Sequence, residues 1–134
     1  MTTVLEDKDA ICDILARSCF YSDTCQFEKN ANLFTEDCEW DGGAAGHQKG
    51  RANVMAFFKL GAEPKFRHCV SNIQITIDGD EAHAISYLQV LSIREPVPVI
   101  IFSGIYLDHL VRRDGRWLFK LRKVRADFAE ARIL

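Results

Sequence analysis

The chain has 134 residues, 48% hydrophobic and 27% charged, with a formal net charge of −2 and a pI near 6.1. That length fits one domain, residues 1–134, with a sizeable core, and the composition excludes a disordered chain. The charge balance argues against a nucleic-acid surface: the basic phrases RRDGR and KLRKVR interleave with apolar residues, as on the solvated face of a sheet with one or two pocket-lining positions.

The opening residues, MTTVLEDKDA, are acidic where a signal peptide needs a basic flank and an apolar run. The longest apolar run, VPVIIF, is strand-sized, so a soluble protein with no membrane partner is expected. From Val4 to Phe20, the apolar residues Ile11, Ile14, Leu15, Cys19 and Phe20 fall at helical spacing. Thr2 or Thr3 can cap this helix, with Glu6 and Asp7 near its positive end. A second helix is expected from about Thr24 to Phe34, burying Phe27, Ala31, Leu33 and Phe34. CEWDGG then reads as a short strand entering GGAAGHQKG, which lacks the phosphate-binding GxxxxGK[ST] pattern and reads as a flexible connection over a pocket mouth.

Residues 50–61 predict a third helix, with Val54, Phe57, Phe58 and Leu60 apolar and Gly61 as terminator. After Pro64 come four long strands, His68–Ile77, Ala82–Ile93, Val97–Arg112 and Trp117–Val124, joined by DGDE, REPVP and RRDGR. The two Asp-Gly turns are hairpin signals. Strands of ten or more residues seldom stay flat. The expectation is therefore an α+β fold with three N-terminal helices and a strongly curved, mainly antiparallel sheet. Outer faces such as Ile85–Leu91 and Ile101–Leu107 call for a cover, and a homodimer or an assembly of dimers is the usual one. The cysteines, Cys12, Cys19, Cys25, Cys38 and Cys69, are odd in number and lack zinc-like spacing, which points to reduced thiols in the cytoplasm. His47, His83 and His109 show no ligand spacing either, so no metal is expected.

Three phrases narrow the fold: YSDTCQFEKNANLFTEDCEW, the HxxxN of HCVSN, and GIYLDHLVRRDGRWLFKLRKV. Together, over about residues 5 to 127, they resemble SnoaL-like domains of the superfamily that shares the nuclear-transport-factor cone fold. The resemblance implies a bent, mixed sheet wrapped round a deep apolar pocket that helices close. Members include polyketide cyclases, scytalone and bile-acid dehydratases, dehydrochlorinases and ketosteroid isomerases. Dioxygenase small subunits share the fold without catalysis, so function must be argued from the site.

In the dehydratase and dehydrochlorinase branch an Asp ends the first helix, and a His opens the first long strand four residues before an Asn. Asp23, His68 and Asn72 match those positions. An imidazole, with an ordinary pKa near ~6.5, serves as a general base at neutral pH, and a carboxylate on one ring nitrogen fixes its tautomer. Such a pair in an apolar cavity supports elimination or isomerisation without a cofactor. The plainer alternative is a surface or core histidine and an Asp capping the second helix. One position departs from the family: Ser18 stands where many catalytic members carry a Tyr five residues before the Asp. Arg122 matches a pocket-lining basic position that stabilises an anion, or is an exposed strand charge. Trp40, Phe57 and Phe66 read as pocket wall, and Tyr87 as an inward phenol or packing. Tyr106 and Asp108 belong to the family phrase, with a structural or interface role expected for at least one. Two functions stay open: a cofactor-independent lyase or isomerase acting on a hydrophobic polyketide, steroid or terpenoid, and a non-catalytic ligand-binding or dimerisation module.

Overall fold

The computed structural model describes residues 1–60 and 62–128. In chain order the elements are α1 (Val4–Asp23), α2 (Phe27–Ala31), β1 (Phe34–Asp41), β2 (His47–Lys49), α3 (Arg51–Phe58), β3 (Phe66–Asp78), β4 (Glu81–Ser92), β5 (Val99–Arg113) and β6 (Arg116–Ala126). The six strands form one curved mixed sheet in the order β2-β1-β6-β5-β4-β3, antiparallel except for the β1–β6 pair.

Local chemistry sets most boundaries. Thr3 caps α1 in a reciprocal box: its hydroxyl accepts from the Glu6 N–H, and the Glu6 carboxylate accepts from the Thr3 N–H. The β5–β6 hairpin turns on Asp114 and Gly115, both at positive φ, as a two-residue loop of this kind requires. The second helix is shorter than its apolar spacing predicts. Phe34 leaves it to open β1, opposite Phe119 of β6, so sheet pairing outweighs helical periodicity there. Leu60 is 74% exposed beyond the end of α3 rather than on an apolar face, and Gly61 lies outside the described residues. The glycine-rich segment is not a loose connection. It makes a single 3-10 turn, Gly43–Ala45, tied down by Asp41, which accepts from the Gly43 N–H and pairs with Arg125 at 2.7 Å.

Two β-bulges decide which side chains face inward. In β3 an extra residue between Ser71 and Gln74, with Asn72 at φ +52°, shifts the pleat. Phe66, His68 and Val70 point inward before it, Ile75 and Ile77 after it. In β6 a second bulge at Lys120 places Trp117, Phe119 and Arg122 on the inner side. The interior accordingly has two apolar clusters. One is the core between sheet and helices: Ile11, Leu15, Phe34, Val54, Leu110 and Phe119. The other is built on Leu88, Val90 and Tyr106, with Phe66, Phe102 and Val124 against it.

Candidate active site

Helix α1 buries Asp7, Ile11, Leu15, Ser18 and Asp23. Its two apolar members enter the core, while each polar one meets a partner on the sheet. Asp7 accepts from Thr2 at 2.6 Å, Arg112 at 2.7 Å and the Trp117 indole at 3.1 Å, and these bonds hold its carboxyl below the usual value. Ser18 accepts from Arg122 at 3.1 Å.

Asp23, the last residue of α1, accepts from the backbone N–H of His68 at 3.0 Å and from His68 Nδ1 at 2.5 Å. It does not cap α2, whose N-cap is Gln26. A carboxylate only accepts, so when the ring is neutral Nδ1 carries its proton and Nε2 the free lone pair. Among the described residues Nε2 has no partner.

The imidazole lies on the wall of a cavity of about 660 Å3. The wall is mostly carbon, from Trp40, Phe66, Leu88, Val90, Phe102 and Val124 among others, with the turn after β1 along one side. A smaller cavity of about 380 Å3 between α1 and β3 reaches the other side of the pair, past Cys12, Cys19 and Cys69. Burial pushes the Cys19 thiol up to about 11, so that thiol stays protonated and unreactive. All five cysteines are free. Among the described residues no group of three or more His, Cys, Asp or Glu side chains is placed to hold a metal ion.

The structure spreads the other expected site residues apart. Trp40 is on the cavity wall, and Phe57 stands behind it, ring centroids 4.6 Å apart. Tyr87 is not an inward phenol: β4 alternates strictly, and Tyr87 is 50% exposed on the face opposite Leu88. Asn72 sits in the β3 bulge, exposed, and reaches neither cavity. Arg122 is neither an exposed strand charge nor a free cation on the wall. It is 2% exposed and bidentate to Asp108 at 2.7 and 2.9 Å, with its third contact to Ser18. Burial raises the Asp108 carboxyl above its ordinary value, with Arg122 pulling the other way. Asp108 is thus committed to Arg122 inside the sheet.

Two further placements differ from the linear reading. His83 and His109 stack on the outer face, centroids 4.7 Å apart, and His109 also meets Glu81. Tyr106 lies on the cavity wall, its ring centroid 3.7 Å from the Arg122 guanidinium carbon. The inward turn of β5 at even-numbered residues is the signal for it, since Gly104, Tyr106, Asp108 and Leu110 are all buried.

The model of the SnoaL-like domain family matches residues 3–123. Among solved structures, Rv3472 of Mycobacterium tuberculosis, a protein of unknown function, is 27% identical with a TM-score of 0.86, over 94% of this chain and 75% of that one. A Novosphingobium aromaticivorans protein described as a candidate scytalone dehydratase is 26% identical with a TM-score of 0.82, over 97% and 90%. A Nostoc punctiforme protein of unknown function with a cystatin-like fold is 27% identical with a TM-score of 0.86, over the full length of both. No curated protein matches the chain significantly in sequence. With nearly all of its length under one family model, this chain belongs to the SnoaL-like domain family.

Proposed function

We propose that the protein is a cofactor-independent lyase or isomerase that removes a proton from carbon in a hydrophobic small molecule, of polyketide, steroid or terpenoid type. The observation that carries this reading is the Asp23–His68 pair on the wall of an apolar cavity, with Nδ1 bonded at 2.5 Å and Nε2 left without a partner. Nε2 takes the proton from a carbon beside a carbonyl, forming imidazolium and enolate. The Asp23 carboxylate stabilises the imidazolium and keeps the ring oriented. The electron pair then expels a leaving group, which is elimination, or is reprotonated elsewhere, which is isomerisation. A cavity of about 660 Å3 is of the size that encloses a drug-sized ligand. The dehydratase name of one structural neighbour favours elimination.

The test is deuterium washout from α-deuterated 1-tetralone, followed by mass spectrometry. Wild-type protein should accelerate washout over buffer. His68→Ala should abolish the acceleration with the fold intact, and Asp23→Asn should leave part of it, since the imidazole remains while its orienting charge is gone. Washout equal in wild type and His68→Ala would overturn the proposal and favour a non-catalytic binding module.

A further inference from the structure

We infer that Tyr106 is a second functional group of this site, donating a hydrogen bond from its phenol to an oxygen of the bound molecule, and that the cavity selects a neutral carbonyl compound over an anion. The inference rests on the proton-abstraction reading above and adds the electrophilic side of the same chemistry.

The wall offers few polar side-chain groups. Among the described lining residues these are His68, Ser103, Tyr106 and the Trp40 indole. Ser103 spends its proton on Asp127 at 2.6 Å. Tyr106 is only 7% exposed, and its hydroxyl has no partner among the described residues. The buried side-chain atoms sealed away without a partner are Asn30 Oδ1, Thr35 Oγ1 and Ser86 Oγ. The Tyr106 oxygen is not one of them and keeps access to the cavity. A phenol so placed has a donor that no described residue satisfies and that a bound ligand or water can.

The ring itself is fixed. Arg122 lies 3.7 Å from its centroid, and Arg122 is locked by Asp108 and Ser18. Burial pushes the phenol further up from its ordinary value, so it stays a donor at neutral pH. Ser18, which stands where a tyrosine could reach the substrate from α1, turns its hydroxyl to Arg122 instead. The phenol thus comes from the sheet, on β5, rather than from α1. Since Asp108 neutralises Arg122, no uncompensated cation among the described residues lines the cavity. An anionic group brought there would lose its hydration with only neutral donors, and no counter-charge among the described residues, to replace it.

The test uses 2-acetylnaphthalene, labelled with carbon-13 at the carbonyl, and 2-naphthoate as its anionic counterpart. Calorimetry gives affinities, and infrared spectroscopy reads the carbonyl band of the bound ketone. Wild type should bind the ketone at least tenfold tighter than the naphthoate, with the band at lower wavenumber than in an apolar solvent. Tyr106→Phe should abolish the band shift and weaken ketone binding roughly threefold to tenfold, the loss of one neutral hydrogen bond. Trp40→Phe and His68→Ala should keep the shift. Should Tyr106→Phe fail to fold, 3-fluorotyrosine in place of the three tyrosines should move the band further, its phenol being a stronger acid. An unshifted wild-type band, a shift that survives Tyr106→Phe or disappears in Trp40→Phe, no response to 3-fluorotyrosine, or tighter naphthoate binding would each overturn the inference. Because the shift is read in His68→Ala, where deuterium washout is silent, the failure of one proposal is distinguishable from the failure of the other.

Discussion

Replacing Asp108 with asparagine tests whether the Arg122–Asp108 pair holds the fold together. Both side chains are almost wholly buried, and the two hydrogen bonds between them are 2.7 and 2.9 Å long. Asparagine keeps the shape and loses the charge, leaving a guanidinium in the interior whose remaining contacts are Ser18 and the rings of Tyr106 and Phe119. Breaking one side of such a pair costs about 3–5 kcal/mol. At ~2.1 cal/mol/K per residue, 134 residues unfold with an entropy of about 0.28 kcal/mol/K, so Tm should fall by roughly 10–18 °C. Thermal and urea unfolding followed by circular dichroism would measure it. The double variant Asp108→Leu with Arg122→Met should recover much of the loss, because two apolar groups of similar size leave no orphaned charge. If Asp108→Asn stays within about 1 kcal/mol of wild type, the pair is not what fixes this layer. An anion-stabilising Arg122 would then regain its claim.

The remaining predictions concern acid stability, one close backbone approach and assembly. Asp7 is held below the ordinary carboxylate value by its bond from Thr2, then Trp117 and Arg112, and Asp41 by Arg125. Depressed folded-state values mean stability that is present above pH ~4 and lost as pH falls through them, so urea midpoints should drop below pH ~4 and drop less in Asp7→Asn and Asp41→Asn. Gly104→Ala places a Cβ 2.3 Å from the Arg125 carbonyl oxygen, which no side-chain rotation relieves, and should cost about 1–3 kcal/mol in urea unfolding. We propose a homodimer through the outer sheet face, where Ile85 and Tyr87 are 40% and 50% exposed, so sedimentation at micromolar concentration should show dimers that Ile85→Glu dissociates. A monomer alone in wild type would count against that proposal.

The long hairpins were legible because their turns are local chemistry: Asp114-Gly115 needs positive φ at both residues and has it. The capped start of α1 was legible for the same reason. What linear periodicity could not reveal was parity. A strict alternation from Trp117 and Phe119 would turn Arg122 outward, and only the bulge at Lys120 brings it in. Asn72 marks the corresponding bulge in β3, and a bulge residue in a polar phrase looks like any other strand residue. Tyr87 was ambiguous because its strand has apolar groups on both faces. The Asp23 and His68 positions came from matching a family pattern, and nothing in their spacing of 45 residues brings them together without the fold.

The two interior clusters divide the sheet by function. Strand segments at one end, around Ile75, Ala82, Leu110 and Phe119, pack against the helices, and segments at the other end, around Phe66, Val90, Phe102 and Val124, surround the cavity. Between them lies the Asp108–Arg122 layer, with Ser18 reaching it from α1. Trp40 belongs to both, lining the cavity and packing against the core, whereas Val90 belongs to the cavity cluster and Ile11 to the core. Energetic effects at such separated sites add. A Val90→Ala and an Ile11→Val change should accordingly cost together what they cost apart, and cavity shape is free to drift while the core stays fixed.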